Sequence, residues 1–353
     1  MKTLNTIILI LILLMGAASV FAAPVVTGTS GPADLSKVAF SARQHGMGGA
    51  GIALGDDTGG FILNPAGLAG VKAKEFSSMS SRFADSFDYM WLGYIHPAKI
   101  DVDTFGVSFF TESFGSLSRT GLDSFGRETS VGSFGAGDFM GTFSYGRKLS
   151  QDLYTGLQLR YTSKQIDDAT GSSFDLDVGS IYRINRNLKL GATFRNMLGT
   201  GFSYNTTDTS VSHTPGYLAV GAAWELVDKS LTFAADYSFS QINRLQLGAE
   251  YWINQSLATR GGWNQGTPSL GVGLRYGNFQ IDYAMLFNDE ALGNSAFISI
   301  TFGNARLSEI ATPEIQIDNG TPVKQVEPVK QPETPVSTPE PAAPVSRPVI
   351  EIQ

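Results

Sequence analysis

Between residues 74 and 302 the sequence alternates apolar and polar residues in about fourteen short stretches. In residues 244–251, for example, the apolar side chains fall on every second position: Leu245, Leu247, Ala249 and Tyr251. Successive side chains of a β-strand point to opposite faces, so a period of two predicts strands. The pattern therefore predicts a chain that is almost entirely antiparallel β-sheet.

The polar face of these strands carries charged residues in the middle of the strands. They comprise six acids and five bases: Arg160, Asp175, Asp177, Lys189, Arg195, Glu225, Asp236, Glu250, Arg260, Arg275 and Asp282. A soluble sheet could also alternate, with its apolar face on a core. A nearly balanced set of charges instead fits the wet interior of a transmembrane β-barrel, whose apolar face meets lipid. We therefore expect these residues to face the lumen.

The N-terminus resembles a secretory signal peptide. After Lys2, residues 7–15 are apolar, and small residues follow up to Ala22, so cleavage is expected between Ala22 and Ala23. The apolar run is too short to span a bilayer comfortably. With no other long apolar stretch, a further membrane crossing must use β-strands, which requires a closed barrel. The expected location is the bacterial outer membrane.

Loop lengths are consistent with such a barrel. We predict fourteen strands, and twelve or sixteen are alternatives. Their expected positions are 74–83, 87–96, 103–111, 137–147, 153–161, 174–183, 188–196, 217–225, 231–239, 245–252, 257–264, 270–276, 279–287 and 295–302. Connections after even-numbered strands are short, whereas long ones are expected at 111–137, 162–173 and 197–216. Short periplasmic turns and long outer loops alternate in this way in outer-membrane barrels.

Composition excludes several functional classes. Charged residues make up only 16% of the chain, against roughly 25% in a soluble domain. The net charge of −7 argues against nucleic-acid binding, and the absence of cysteine removes thiol chemistry. His45, His96 and His213 are scattered, so we expect no metal ion, no cofactor and no enzymatic activity.

A glycine-rich segment precedes the first predicted strand. Residues 41–57 read SARQHGMGGAGIALGDD, and FILNPAGL follows at residues 61–68. This segment resembles the N-terminal signature of FadL-type outer-membrane proteins and of the PorV/PorQ group. Within residues 46–51 the spacing G-x-G-x-x-G also occurs, but a dinucleotide site needs a preceding strand and a following helix, which are not predicted here.

The resemblance implies that residues 23–73 form a hatch, or plug, folded into the lumen of a barrel at residues 74–303. The residues that match the signature or could anchor the plug are Arg43, Gly46, Gly48, Gly49, Gly51, Asp56, Asp57, Asn64, Pro65 and Ala66. Glycines allow tight turns and close approach to the lumen wall, and the two aspartates could meet inward arginines. A plug without any gating role is the alternative.

Two further features complete the organisation. Trp91, Trp224, Trp252 and Trp263 lie near predicted strand ends and are expected in the interfacial aromatic girdle. Residues 304–353 hold nine of the fifteen prolines and are expected to form an extended, disordered periplasmic tail. Its last residues, Val349–Gln353, could dock on a partner as a strand.

Three functions are compatible with these features. The first is a FadL-like channel for hydrophobic small molecules such as fatty acids or other lipids. The second is a PorV/PorQ-like barrel that transports nothing and serves protein secretion or cell-surface attachment. The third is a structural barrel tethered through its tail. The expected partners are outer-membrane lipids, a hydrophobic ligand, and a periplasmic or secretion-machinery protein that binds the tail or the rim.

Overall fold

The computed structural model describes residues 39–83, 87–99, 102–205, 215–227, 229–240, 243–287 and 294–303. The expected signal peptide, the tail and His213 lie outside the described residues. Within the described residues, no helix is both long enough and apolar enough to cross a membrane.

Fifteen strands are present in these ranges. The first eight are β1 (Glu75–Phe83), β2 (Phe87–Lys99), β3 (Asp103–Leu122), β4 (Glu128–Lys148), β5 (Leu153–Ile166), β6 (Ala169–Arg183), β7 (Leu188–Arg195) and β8 (Ser203–Tyr204). The others are β9 (Tyr217–Leu226), β10 (Leu231–Phe239), β11 (Arg244–Trp252), β12 (Leu257–Asn264), β13 (Thr267–Tyr276), β14 (Phe279–Leu286) and β15 (Ser295–Gly303).

Fourteen of the described strands form a closed antiparallel ring, which confirms the predicted fold. Each ring strand pairs with its neighbours in the chain, and β1 closes the ring by pairing with β15 from Glu75↔Gly303 to Arg82↔Ala296. The short strand β8 lies outside the ring and pairs only with β6. A closed ring satisfies the backbone hydrogen bonds between strands and leaves no open edge, which is what a lipid environment demands.

Two expected outer loops are instead strand. The prediction of a loop at 111–137 is wrong, because β3 and β4 continue past the ring as a two-stranded ribbon that turns at residues 123–127. The prediction of a loop at 162–173 is also wrong, because β5 and β6 run on to a tight turn at Asp167, where φ is 57°. Both extensions are rich in Gly, Ser and Thr, so they carry little of the apolar alternation from which strands are predicted.

The alternation of side chains holds along the ring. On β13, Leu270, Val272 and Leu274 point outward and are exposed, whereas Ser269, Gly271, Gly273 and Arg275 are buried. On β15, Ile298, Ile300 and Phe302 point outward. The outer wall is therefore an apolar belt of the kind that faces lipid in membrane barrels.

The segment before β1 packs against the inward faces of the strands. We refer to residues 39–71 as the plug. It contains two short helices, α1 (Ala42–Gly46) and α2 (Gly60–Leu63), and a 3-10 helix at Pro65–Gly70. Most of its residues are buried, although Asp56, Asp57 and Gly70 are partly or fully exposed.

Candidate functional site: the plugged lumen

An arginine of the plug joins it to the barrel wall. Arg43 lies on α1 and donates through Nε and Nη2 to the two carboxylate oxygens of Glu250 on β11, at 2.7 and 2.9 Å. Its Nη1 reaches Asp56 at 3.0 Å and Asp57 at 2.7 Å, both in the plug. A bidentate guanidinium–carboxylate pair is a strong, directional contact. Arg43 therefore binds carboxylates of both the plug and the barrel wall.

The same Glu250 begins a chain of charges along the wall. Arg260 on β12 donates from Nε to Glu250 at 2.7 Å and meets Asp282 on β14 at 2.9 Å. Gln280 connects Asp282 (2.7 Å) to Arg275 (2.7 Å). Glu250, Arg260 and Asp282 each have an oppositely charged neighbour, which offsets part of the cost of removing these charges from water, and Arg275 donates to the neutral Gln280.

All eleven charged residues expected in the lumen are buried in the structure. Besides the row above, Asp177 on β6 pairs with Arg160 on β5 at 2.9 Å, and Lys189 on β7 contacts Glu225 on β9 at 2.5 Å. Arg195 lies 3.6 Å from Asp177. Asp175 is buried on β6, directly opposite Arg160 in the strand register. These pairs run from strand to strand around β5–β14, and we refer to this part of the wall as the charged sector.

Asp236 on β10 is held differently. Its Oδ2 accepts the backbone N–H groups of Gly51 and Ile52 in the plug, at 2.6 and 2.9 Å. Its Oδ1 has no hydrogen-bond partner within the described residues. The plug backbone thus supplies the contacts that the structure records for this buried carboxylate.

The Asn-Pro-Ala element forms a corner of the plug. Asn64 Oδ1 accepts from Ala66 N at 3.1 Å and caps the 3-10 helix, while Pro65 occupies the first helical position. The amide Nδ2 donates to Ile52 O at 2.9 Å and to Ser180 O on β6 at 3.1 Å. The fully buried Asn64 side chain therefore caps the 3-10 helix and also binds the plug backbone at Ile52 and the barrel wall at Ser180.

Inward glycines bring the wall into contact with the plug backbone. A Cβ on Gly156 would lie 2.2 Å from Pro65 C, and one on Gly191 would lie 2.5 Å from Ile52 O. At Gly248 and Gly262 the corresponding distances are 2.5 Å to Met47 O and 2.0 Å to Gly48 N. No residue with a side chain fits there without a shift of the backbone. The expected plug glycines Gly46, Gly48, Gly49 and Gly51 are all buried in this region.

The other side of the lumen holds an apolar cluster among buried polar side chains such as Ser77, Ser108 and Glu112. Inward side chains of β15 and β1–β4 pack together with the plug residues Phe40, Phe61, Ile62 and Leu68 in one buried cluster: Phe297, Met79, Trp91, Ile95, Phe110 and Met140. The rings of Phe40 and Phe110 meet edge to face, with centroids 5.5 Å apart. We refer to these strands as the apolar sector. Barrel interiors are normally polar.

The expected aromatic girdle is wrong for two of its four tryptophans. Trp91 is fully buried in the apolar sector, and Trp252 is buried with the Arg275 guanidinium 4.1 Å from its ring centroid. Trp224 and Trp263 lie on the outward face. A tryptophan near a strand end suits either face, because it can line a core as readily as an interface.

Several lumen residues were not expected from the sequence. Glu75 on β1 accepts from the backbone N and the hydroxyl of Thr58 in the plug, the former at 2.7 Å. Asp138 on β4 pairs with Lys164 on β5 at 3.2 Å near the outer end. The sequence could have indicated both residues, because each lies at an inward position of the strand alternation. Within the described ranges no group of acidic and histidine side chains is arranged to hold a metal ion.

Burial shifts the protonation of α1. Desolvation lowers the pKa of His45 to about 3, although a hydrogen bond from the imidazole to the backbone carbonyl of Ala39 opposes the shift. The imidazole stacks on Phe297 with ring centroids 3.6 Å apart. Burial also acts to lower the pKa of Arg43, but its carboxylate partners outweigh burial and hold that pKa well above its usual value. At neutral pH the helix therefore carries a charged Arg43 and a neutral His45.

Two small spaces lie beside the plug within the described residues. One cavity of about 30 Å³ lies at the inner end between Arg43, Asp57, Glu75 and Arg275. Another of about 30 Å³ lies at the outer end beside Asp236 and Gln246. Each has room for one or two water molecules. A larger space of about 350 Å³ lies at the base of the β3–β4 ribbon, beside Glu112 and Asp138.

Comparison with known proteins agrees with this architecture. No protein-family model matches the chain, and no curated protein matches it in sequence. In structure it is similar to the toluene transporter TbuX of Ralstonia pickettii, with a TM-score of 0.55 and 16% identity over 75% of this chain and 97% of that one. The toluene transporter TodX of Pseudomonas putida gives a TM-score of 0.54 and 14% identity, covering 75% and 96%. A FadL homologue of Pseudomonas aeruginosa gives 0.51 and 11%, covering 76% and 98%.

The fold and the site together define a fourteen-stranded β-barrel of the membrane type with an N-terminal plug in its lumen. More narrowly, the architecture is that of the FadL-type barrels.

Proposed function

We propose that this protein is an outer-membrane channel of the FadL-like class that passes hydrophobic small molecules. The apolar outer belt supports the membrane location, because apolar side chains point outward at alternate positions of ring strands such as β5, β13 and β15. The fold shared with two toluene transporters and a FadL homologue supports the class of function.

The observation that carries the proposal is the apolar sector. A pore for ions or sugars keeps a wet interior, whereas Trp91, Phe110 and Met140 are fully buried against the apolar side of the plug. An apolar solute that enters this seam replaces apolar contacts with similar ones, so it loses little free energy there. An ion in the same place would be desolvated without a partner. The seam between the plug and β15–β4 is therefore the proposed route.

Uptake of labelled solutes tests the proposal. Cells that lack the protein are compared with cells that carry it, using a labelled monoaromatic hydrocarbon and a labelled long-chain fatty acid. Faster uptake of at least one of these with the protein present is expected. Equal uptake of both with and without the protein would exclude the channel function for these solutes.

A matched pair of variants ties uptake to the seam. Met140→Glu places a carboxylate in the apolar sector and is expected to lower uptake by about ten-fold or more, because the charge has no partner there. Met140→Leu conserves the volume and is expected to leave uptake unchanged. Heat-modifiable migration in detergent shows whether each barrel has folded.

A second function is favoured by the tight packing of the plug. The two spaces described beside the plug are too small for any organic solute, and the ribbon of β3 and β4 exposes Leu122 and Phe125 above the ring. A PorV/PorQ-like barrel, which needs no passage but needs a rim for partners, is consistent with both. Unchanged uptake, combined with a secretion or surface-attachment defect in cells lacking the protein, would favour this function. Tethering through the tail depends on residues outside the described ranges.

A further inference from the structure

The outer wall of the barrel has a recess at the point where the ribbon of β3 and β4 leaves the ring. The space of about 350 Å³ described above lies there. Glu112 and Asp138 border this space, but their side chains are buried on the inward face, so the recess opens to the outside of the wall. Its outward lining residues are Thr111, Gly135, Gly137, Phe139, Ser163 and Gln165. We refer to this recess as the notch.

Two rows of residues, in register across β3, β4 and β5, form the notch. In the lower row Thr111 lies opposite Phe139, and Phe139 lies opposite Ser163. In the upper row, which is nearer the ribbon, Gly137 lies opposite Gln165. The upper row therefore has no side chain at its centre, and the notch extends down to the backbone of β4.

The backbone floor of the notch is fixed by the geometry of the strands. A Cβ on Gly137 would lie 2.7 Å from Glu112 O, so a side chain at this position would require the backbone to shift. At Gly135, in contrast, no atom of the described residues lies within 4 Å of the position that a Cβ would take. A β-bulge between Ser113 and Ser116 bends β3 at this height. The notch therefore does not depend on the rotamer of any one side chain.

The notch offers neutral hydrogen-bonding groups beside an aromatic ring. The hydroxyls of Thr111 and Ser163 each donate and accept hydrogen bonds, and the amide of Gln165 keeps its carbonyl oxygen as an acceptor while it donates to Asp167 O at 3.3 Å. Phe139 is 41% exposed and adds a flat apolar surface. The described lining contains no lysine, arginine or histidine, so an anionic head group would meet no opposite charge. These groups match a sugar, whose hydroxyls also donate and accept and whose C–H face packs on aromatic rings.

An apolar surface continues from the notch along the outside of the barrel. Phe139 packs against Phe109 with ring centroids 6.4 Å apart, and Phe105 and Phe143 lie 6.0 Å apart further along the same two strands. All four rings are exposed on the outward face. The notch lies at the end of the barrel that carries the long hairpins, which is the extracellular end in outer-membrane barrels. A polar recess thus borders lipid-facing phenylalanines, an arrangement that suits an amphiphile.

We propose that the notch is a binding site for a glycolipid, whose sugar head occupies the notch while its acyl chain lies along the outward phenylalanines. The size of the notch supports this assignment, because sites for small organic ligands measure from about 300 Å³ upwards. A phospholipid fits less well, because its phosphate would have no cation in the lining. The site lies outside the lumen, so it goes beyond the proposed channel function and does not depend on it.

Thiol protection tests the site, because the chain contains no cysteine. Ser163→Cys places a reporter in the notch, and Thr259→Cys places a control reporter on the outward face of β12. Each full-length variant is purified in a polyoxyethylene detergent, which has neither a sugar nor a charge, and is labelled with a thiol reagent with and without dodecyl maltoside. Dodecyl maltoside is expected to slow labelling at position 163 by about ten-fold and to leave labelling at position 259 unchanged.

Two matched ligands separate the sugar head from the chain. Dodecyl phosphocholine has the same chain with a charged head, and maltose has the same head without a chain. Weaker protection of position 163 by each of them than by dodecyl maltoside is expected. Equal protection by dodecyl phosphocholine would reduce the notch to ordinary contact with acyl chains, and equal protection by maltose would assign it to free sugars. Either result would overturn the glycolipid site.

A matched pair of glycine variants locates the effect. Gly135→Leu fills the notch, and Gly261→Leu adds the same side chain on β12, where a Cβ also meets open space. The first is expected to abolish protection of position 163 by dodecyl maltoside and the second to retain it. Heat-modifiable migration identifies unfolded variants, and Gln165→Ala, which is expected to weaken protection, then replaces Gly135→Leu. Full protection in a folded notch variant would overturn the site, whereas uptake of apolar solutes tests the channel function separately.

Discussion

Leu247 and Gln246 are neighbours on β11 that point to opposite sides of the wall. Leu247→Arg places a charge in the outer belt and is expected to destabilise the inserted barrel by roughly 2–4 kcal/mol near the bilayer midplane. Gln246 donates to Gly48 O at 3.3 Å, so Gln246→Arg is expected to disturb the plug and leave the barrel assembled. Heat-modifiable migration measures assembly, and liposome conductance measures closure. Equal loss of assembly in the two variants would contradict the assignment of faces.

His45 gives the plug a dependence on pH. Burial lowers its pKa to about 3, below the usual 6.5. The His45 imidazole therefore binds a proton more readily when α1 is exposed to water than when α1 is packed in the lumen. The stability that the neutral His45 contributes to the packed α1 is therefore fully present above pH 6.5, and it is lost as the pH drops from 6.5 towards 3. The expected loss is about 1.4 kcal/mol per pH unit below 6.5.

Hydrogen exchange of the α1 amides between pH 7 and pH 5 measures this effect after correction for the intrinsic exchange rate. His45→Phe keeps an aromatic ring against Phe297 and is expected to remove the dependence. The same pH dependence in His45→Phe would assign the effect to another group.

The inward or outward position of many residues could be predicted from strand periodicity. Arg160, Asp236 and Glu250 could be assigned to the lumen because a strand has two faces and the opposite one is apolar. Trp91 and Trp252 could not be assigned, because an aromatic ring is stable in lipid, at an interface or in a packed interior. The hydrogen-bond partners of Asn64 could not be predicted from the sequence either, because they are backbone carbonyls of residues distant in the chain.

At the scale of elements, the ribbon of β3 and β4 stands apart from the ring. Beyond Ser113 its residues pair only within the hairpin, and Arg119 forms an ion pair with Asp167 at the β5–β6 turn. At the tip, Asp123 Oδ1 accepts from the backbone N of Phe125 and Arg127, which fixes the turn. The strand pairing of the ring is therefore complete without the ribbon.

Shortening the ribbon tests that independence. Replacement of residues 116–133 by a two-residue turn is expected to leave barrel assembly unchanged, because the ring pairs from β2 to β5 lie below the cut. Heat-modifiable migration is the measurement. Loss of secretion or attachment with normal assembly would support the partner-binding function, whereas failure to assemble would make the ribbon part of the folding unit.

The strand ends show why sequence reasoning succeeded for some elements and failed for others. The bounds of β7, β10 and β12 were predicted within one residue, because apolar and polar residues alternate along these strands. The ends of β3 and β4 were missed by about ten residues, because a ribbon in water has no buried face to impose apolar alternation. The interior of the plug has no regular period, so its packing against the apolar sector was not predictable.

At the scale of the whole molecule, ring and plug have separate sources of stability. The ring strands satisfy one another, so deletion of Gly46–Leu68 is expected to leave a folded barrel. Since most plug residues are buried against the inward faces of the strands, removal of the plug is expected to raise the conductance of liposomes carrying the protein. Unchanged conductance would show that another part of the chain closes the lumen.

The two sectors also determine how the lumen takes up water. In a lumen without the plug, the carboxylates and guanidinium groups of β5–β14 bind water strongly, whereas Ile95 and Phe110 offer it no hydrogen bonds. Water is therefore expected to bind more strongly to the charged sector than to the apolar cluster on the facing wall. A solute in that space meets an oil–water boundary running along the barrel axis, and an amphiphile aligns across it with its polar head towards the charges.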